Sequence, residues 1–222
     1  MRAERDMYVF QGTVENFRVD NRANGERSSA EADPLRVFFV GASPFDIDLD
    51  RIRADREFRA IERVARPGRL VVANRPAAGV DDLSDLLRER HDVLHLSCHM
   101  RGAEFLFEDA EGETHAVAAD AVAQRLRTYR DHGGLGLDGI VLSCCGSAEV
   151  AELFAGLAAT VVAWRGDLDD DCAIAFAGCF YRALISEPRP ALGSAARIAS
   201  VEAGGLDRHC REIGNQLVVL GV

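Results

Sequence analysis

From Leu35 to the end of the chain, short apolar runs alternate with segments of helical period, and this alternation most limits what the chain can fold into. Leu35–Val40 (LRVFFV), Arg69–Ala73, Val93–Ser97 (VLHLS), Gly139–Ser143 (GIVLS), Val161–Trp164 and Leu217–Leu220 read as strands. Asp50–Ala65 places Ile52, Phe58, Ile61 and Val64 at helical spacing, with Arg and Glu on the other face. Asp81–Arg90, Ala118–Arg130, Ala148–Ala158, Ala173–Leu184 and Ser194–Ala203 also read as helices. Glu104–Glu108 and Thr114–Val117, around the turn Ala110-Glu111-Gly112, read as a β-hairpin. Parallel strands need crossovers, and helices supply them. The expected fold is therefore α/β: a mainly parallel sheet with helices on both faces, a three-layer sandwich with a small hairpin insertion.

In such sheets, ligands and catalytic groups gather beyond the carboxyl ends of the strands. Two strand ends carry chemistry. Val93–Ser97 runs into Cys98-His99-Met100, and Gly139–Ser143 runs into Cys144-Cys145-Gly146-Ser147. If the two strands are neighbours, His99 and a cysteine of the 144–145 pair emerge at one edge, as a base and a nucleophile. The expected helix after Cys145 would also favour its thiolate through the helix dipole. His99 precedes Cys145 by 46 residues, close to the separation of about 50 between the His and Cys of caspases.

Composition narrows the function classes. The 222 residues are 48% hydrophobic and carry a net charge of −10, enough for one sizeable core and the wrong sign for a nucleic-acid-binding face. Every basic residue is Arg, which suits a GC-rich bacterial genome. No apolar run is long enough to span a bilayer, and the charged start Met1–Asp6 leads into no signal-type apolar core. A cytoplasmic protein with free thiols is expected. The six cysteines contain no C-x-x-C pair, so zinc-ribbon spacing fails and no metal or cofactor is expected. Asn21–Pro34 is polar and aperiodic and reads as a linker, with Tyr8–Phe10 and Thr13–Val14 as a short strand or hairpin before it. The expected boundary separates an N-terminal segment, 1–34, from a folded domain, 35–222.

Several stretches, in order, resemble one family: the CHAT domains, bacterial caspase-like cysteine peptidases of the clan shared with caspases and separase. VFFVGASPFD followed by DREFRAIE resembles the family's entry. HDVLHLSCHM resembles its strand ending in His, and EFLFEDAEGE its hairpin. GIVLSCCGS resembles its strand ending in Cys, and LDDDCAIAFAGCFYRAL its later helix. The resemblance implies a caspase-like sandwich over 35–222 and a cysteine endopeptidase. It implies His99 as the base and Cys145 as the nucleophile, with the N–H groups of Met100 and Cys145 as the oxyanion hole. Met100 and Cys98 stand where the family has Gly. Asp170 matches a family Asp that implies a basic P1 side chain, with Asp171 beside it in the acidic run Asp167–Asp171. The implied partners are a protein substrate and an activating or sensor protein acting in trans, in defence or cell-death signalling.

Blander readings compete. Cys98, Cys172, Cys179 and Cys210 suit packing, and His95 a satisfied sheet histidine. The aspartate run suits a solvated helix start. Three other functions stand against the enzyme: a catalytically silent adaptor, a redox sensor using Cys144 and Cys145, and a zinc site from Cys98, His99, Cys144 and Cys145.

Overall fold

The computed structural model describes residues 33–46 and 50–221. The expected N-terminal strand or hairpin, and the linker up to residue 32, lie outside them.

The six expected strands form one sheet: β1 (Leu35–Gly41), β2 (Leu70–Arg75), β3 (Val93–Ser97), β7 (Leu137–Ser143), β8 (Ala158–Trp164) and β9 (Leu217–Gly221). Their spatial order is β2-β1-β3-β7-β8-β9. Every neighbouring pair is parallel except β8–β9, which is antiparallel. Period-two alternation sends Phe38, Leu94, Leu96, Ile140 and Leu142 to one core, where they meet α2 (Ala119–Gly133) through Val122, Ala123 and Leu126. Val37, Phe39, Val93, Val141 and Val162 face the other core, under α1 (Ala54–Val64), α3 (Asp170–Leu184) and α4 (Leu192–Leu206). Two apolar faces, each covered by helices, make the three-layer α/β/α sandwich.

The hairpin gains a strand. β5 (Glu104–Glu108) pairs with β6 (Thr114–Ala118) and also with β4 (His99–Arg101), so His99 opens a second, three-stranded sheet. The three residues of β4, directly after Cys98, are too few to show a periodicity.

Two helices are corrected. Ala148–Ala158 forms only short 3-10 turns at Ser147–Glu149 and Ala151–Phe154, and Asp81–Arg90 is a 3-10 helix over Val80–Leu87. In the first segment Gly146 and Gly156 both take positive φ, which bounds the run at each end. Val150 and Phe154 are buried all the same, so 3-10 turns satisfy the same apolar spacing. The expectation of six free thiols is corrected too. Cys172, in the first turn of α3, is disulfide-bonded to Cys210, while Cys98, Cys144, Cys145 and Cys179 are free. Among the described residues no helix is long and apolar enough to cross a membrane.

Candidate active site

Strand register brings the two expected residues together. Ser97 on β3 is paired with Ser143 on β7. His99 and Cys145 each lie two residues beyond, and both line one cleft with Ile52, Leu168 and Asp170. The intervening Cys98 and Cys144 are buried, their Sγ atoms 3.5 Å apart, in the core under α2. The cleft measures about 20 Å3.

His99 is oriented from outside its strand. Its Nε2 lies 2.7 Å from the carbonyl oxygen of Asp50. A carbonyl can only accept, so Nε2 carries the proton and Nδ1 is left to act as a base.

Cys145 has a different anchor. Its Sγ accepts the N–H of Leu168 at 3.2 Å. Burial pushes the Cys145 thiol up; the Leu168 N–H pulls it back, and the Asp167 charge pushes it up again, leaving it above the ordinary thiol range. The expected dipole assistance is absent because no α-helix follows Cys145, and the resting group is a thiol. Cys144 N–H is bound to Leu142 O and Gly146 N–H to Gly166 O. The Cys145 N–H, between them, has no backbone acceptor among the described residues. Met100 packs its side chain against the α2-side core and does not line the cleft.

The aspartate run divides three ways. Asp169 caps α3 by accepting the Cys172 N–H and pairs with His209. Asp171 is exposed and bound to Arg56, away from the cleft, so the structure does not bring it to the site. Asp170 lines the cleft and accepts the Arg53 N–H at 3.0 Å. Burial pushes its carboxyl up; the Arg53 N–H opposes this, and the charges of Glu57 and Asp171 add to it, for a net rise.

The sequence reading missed the group beneath the cleft. Glu57, on α1, is 3% exposed. Its carboxylate accepts from His95 Nε2 at 2.9 Å, Ser97 Oγ at 2.6 Å and Ser143 Oγ at 2.7 Å. His95 Nδ1 lies 3.0 Å from the Tyr181 hydroxyl, so His95 is a satisfied sheet histidine, as its alternation suggested. Burial pushes the Glu57 carboxyl up, but the His95 charge and the donated hydrogen bonds outweigh it and hold it below the ordinary range. A signal was present: Glu57 stands four residues before Ile61 and seven before Val64, on the inward stripe. The remaining motif serine, Ser147, is structural. Its hydroxyl donates to Leu142 O and accepts the Trp164 N–H, tying β7 to β8.

The four residues of the zinc reading do not converge, since the Cys98 and Cys144 sulfurs meet each other while Cys145 meets Leu168.

Comparison with known proteins identifies the family and the fold. The CHAT domain family model matches residues 6–202. A Roc-COR-CHAT protease from an unknown prokaryotic organism is 31% identical over 110 residues, 48% of this chain and 10% of that protein. The chain thus spans only a small part of that relative. Among solved structures, the Arg-specific cysteine proteinase gingipain R superposes with a TM-score of 0.56 at 9% identity, over 84% of this chain and 46% of that one. The Drosophila initiator caspase Dronc superposes with a TM-score of 0.55 at 10% identity, over 96% and 93%. These superpositions make the fold caspase-like, and the chain belongs to the CHAT domain family.

Proposed function

We propose that the chain is a cysteine endopeptidase working through a Cys145–His99 dyad and cutting after Arg or Lys, with 35–222 as its catalytic unit. The observation that carries this reading is the register. Ser97 opposite Ser143 sends His99 and Cys145 into the same cleft from neighbouring parallel strands.

The Cys145 thiol gives its proton to His99 Nδ1 as Sγ bonds to the scissile carbonyl carbon. The carbonyl oxygen takes the negative charge, received by the Cys145 N–H and by the Met100 N–H that the family resemblance assigns to the same role. The C–N bond then breaks, and the leaving amine carries off the proton from His99. Water adds to the thioester, giving its proton to His99, and the acid departs as the thiol re-forms. The Asp50 carbonyl keeps Nδ1 turned to the work by binding the proton on Nε2. The raised thiol makes His99 essential, because little thiolate exists before the proton moves.

Asp170 supports the preference for a basic side chain. Of the two carboxylates that line the cleft, Glu57 is buried and held by His95, Ser97 and Ser143, while Asp170 is half-buried, and a P1 guanidinium or ammonium would meet Asp170 in a charge-assisted bond. The name of gingipain R, an Arg-specific enzyme on the same fold, points the same way. The family resemblance also supports an activating or sensor protein acting in trans. It supports a role in bacterial defence or cell-death signalling.

The test is a peptidyl acyloxymethyl ketone ending in Arg. Selective labelling of Cys145, abolished by His99→Ala, supports the peptidase. A chain that binds a partner protein but labels nowhere is the silent adaptor instead. Equal cleavage of Arg and Ala at P1 would remove the specificity claim.

A further inference from the structure

A second cavity, of about 430 Å3, opens at the carboxyl ends of β1 and β2, on the α1 side of the sheet. Phe39, Ile52, Phe58 and Pro76 form its apolar part, and charged side chains, Arg59 and Glu62 among them, line the rest. Ser43 and Asn74 also line it. Ser43 Oγ and Asn74 Oδ1 are both buried without a hydrogen-bond partner, a condition native interiors avoid. Ala77, at its edge, holds a positive φ of 50°, a conformation that costs free energy outside glycine and gathers at binding sites. Ile52 is a wall of both this cavity and the dyad cleft.

The order of strands gives the cavity its side. Cys145 follows β7, His99 follows β3, and β1 lies beyond β3. In the reaction proposed above, the acyl half stays on Cys145 and the amine half leaves from His99. The departing half of the substrate therefore lies toward β1 and β2. The two orphaned atoms match a polypeptide backbone. Asn74 Oδ1 needs a donor, which a peptide N–H supplies, and the Ser43 hydroxyl can donate to a peptide carbonyl. The phenyl rings and Pro76 offer an apolar surface to a side chain.

We propose that this cavity binds the substrate segment downstream of the scissile bond, selecting an apolar residue in the first two positions after the cut. The proposal rests on the peptidase reading for its orientation. The match to an extended peptide rests on the cavity alone.

Two measurements on the full chain test it. The first is fluorescence anisotropy of a labelled peptide with a free amino terminus and Leu in its first two positions, titrated against the Cys145→Ala chain. Asn74→Leu, which fills the cavity, is expected to weaken binding roughly tenfold, and Asp in place of Leu to do the same. The second compares a quenched peptide spanning the cut with a substrate whose dye directly follows P1 Arg. Asn74→Leu is expected to lower the ratio of their kcat/KM values roughly tenfold. Asn74→Ala guards against misfolding: it removes an acceptor that makes no bond, so its Tm should hold or rise while the ratio still falls. No peptide binding, or binding and a ratio indifferent to Asn74, overturns the proposal. Peptide binding through Asn74 by a chain that no dyad probe labels retires the peptidase reading and keeps the cavity as a peptide site.

Discussion

Ser97 and Ser143 stand opposite each other across β3 and β7, and both hydroxyls donate to the single carboxylate of Glu57. One buried acid from α1 thus clamps the two strand ends that carry His99 and Cys145. The clamp needs no contact with substrate. It fixes the spacing of the strands two residues before each reacting group.

Removing that clamp should cost both stability and rate. Glu57→Ala leaves His95 and two buried hydroxyls without their acceptor, and a loss of about 3 kcal/mol in unfolding free energy is expected. Glu57→Gln should lose less, because an amide oxygen still accepts. The folded carboxyl titrates below its unfolded value, so its stabilising contribution is full above the unfolded pKa. That contribution is lost as pH falls through the folded one. Denaturation of the wild type should therefore steepen below about pH 4, and Glu57→Gln should flatten that limb. As a positioning residue, Glu57 should alter kcat more than KM. An unchanged kcat in folded Glu57→Gln would refute the positioning role.

Cys145 should behave as a raised thiol when His99 is removed. In His99→Ala, iodoacetamide alkylation should keep climbing through and beyond the ordinary thiol range, because burial pushes the group up. A plateau near neutral pH would mean that some other group stabilises the thiolate.

Asp170 should give the specificity a pH dependence. Its carboxyl is pushed up by burial, so it protonates at a higher pH than an exposed aspartate. As pH falls, KM for Arg substrates should rise before ordinary carboxylates titrate. Asp170→Asn should have a high KM at every pH and no such limb. A pH-independent KM in the wild type would separate Asp170 from P1 recognition.

The Cys172–Cys210 bond closes a 38-residue separation and holds the α3 turn that bears Asp170. In the chain-entropy limit its loss costs about 4 kcal/mol. Cys172→Ser with Cys210→Ser should lower Tm, and a reductant should reproduce the loss in the wild type only. An equal Tm with and without reductant would show that the two thiols are not joined in solution.

Much of this was legible in the sequence because it depends on local period. LRVFFV, VLHLS and GIVLS are apolar on both parities, as strands with two covered faces must be, and they became β1, β3 and the carboxyl-terminal part of β7. The expected His99 and Cys145 meet because both follow such strands. Where local signals conflicted, the reading failed. Ala148–Ala158 has a helical spacing of Val150, Leu153 and Phe154, yet glycines with positive φ bound it and 3-10 turns bury the same side chains. That error also carried away the dipole argument for Cys145.

The sequence by itself determined the strand–helix alternation, the two chemistry-bearing strand ends and the family resemblance, because each is written in residues near one another in the chain. Only the tertiary structure decided which groups from distant segments meet them. Asp50 reaches His99, Leu168 reaches Cys145, Glu57 reaches Ser97 and Ser143, and Cys172 reaches Cys210. Asp170 and Asp171 show the limit most plainly. They are neighbours with the same side chain, but the helix sends one into the cleft and the other to Arg56 at the surface. Successive residues on a helix point about 100° apart, and which direction faces the dyad depends on how α3 packs against the sheet.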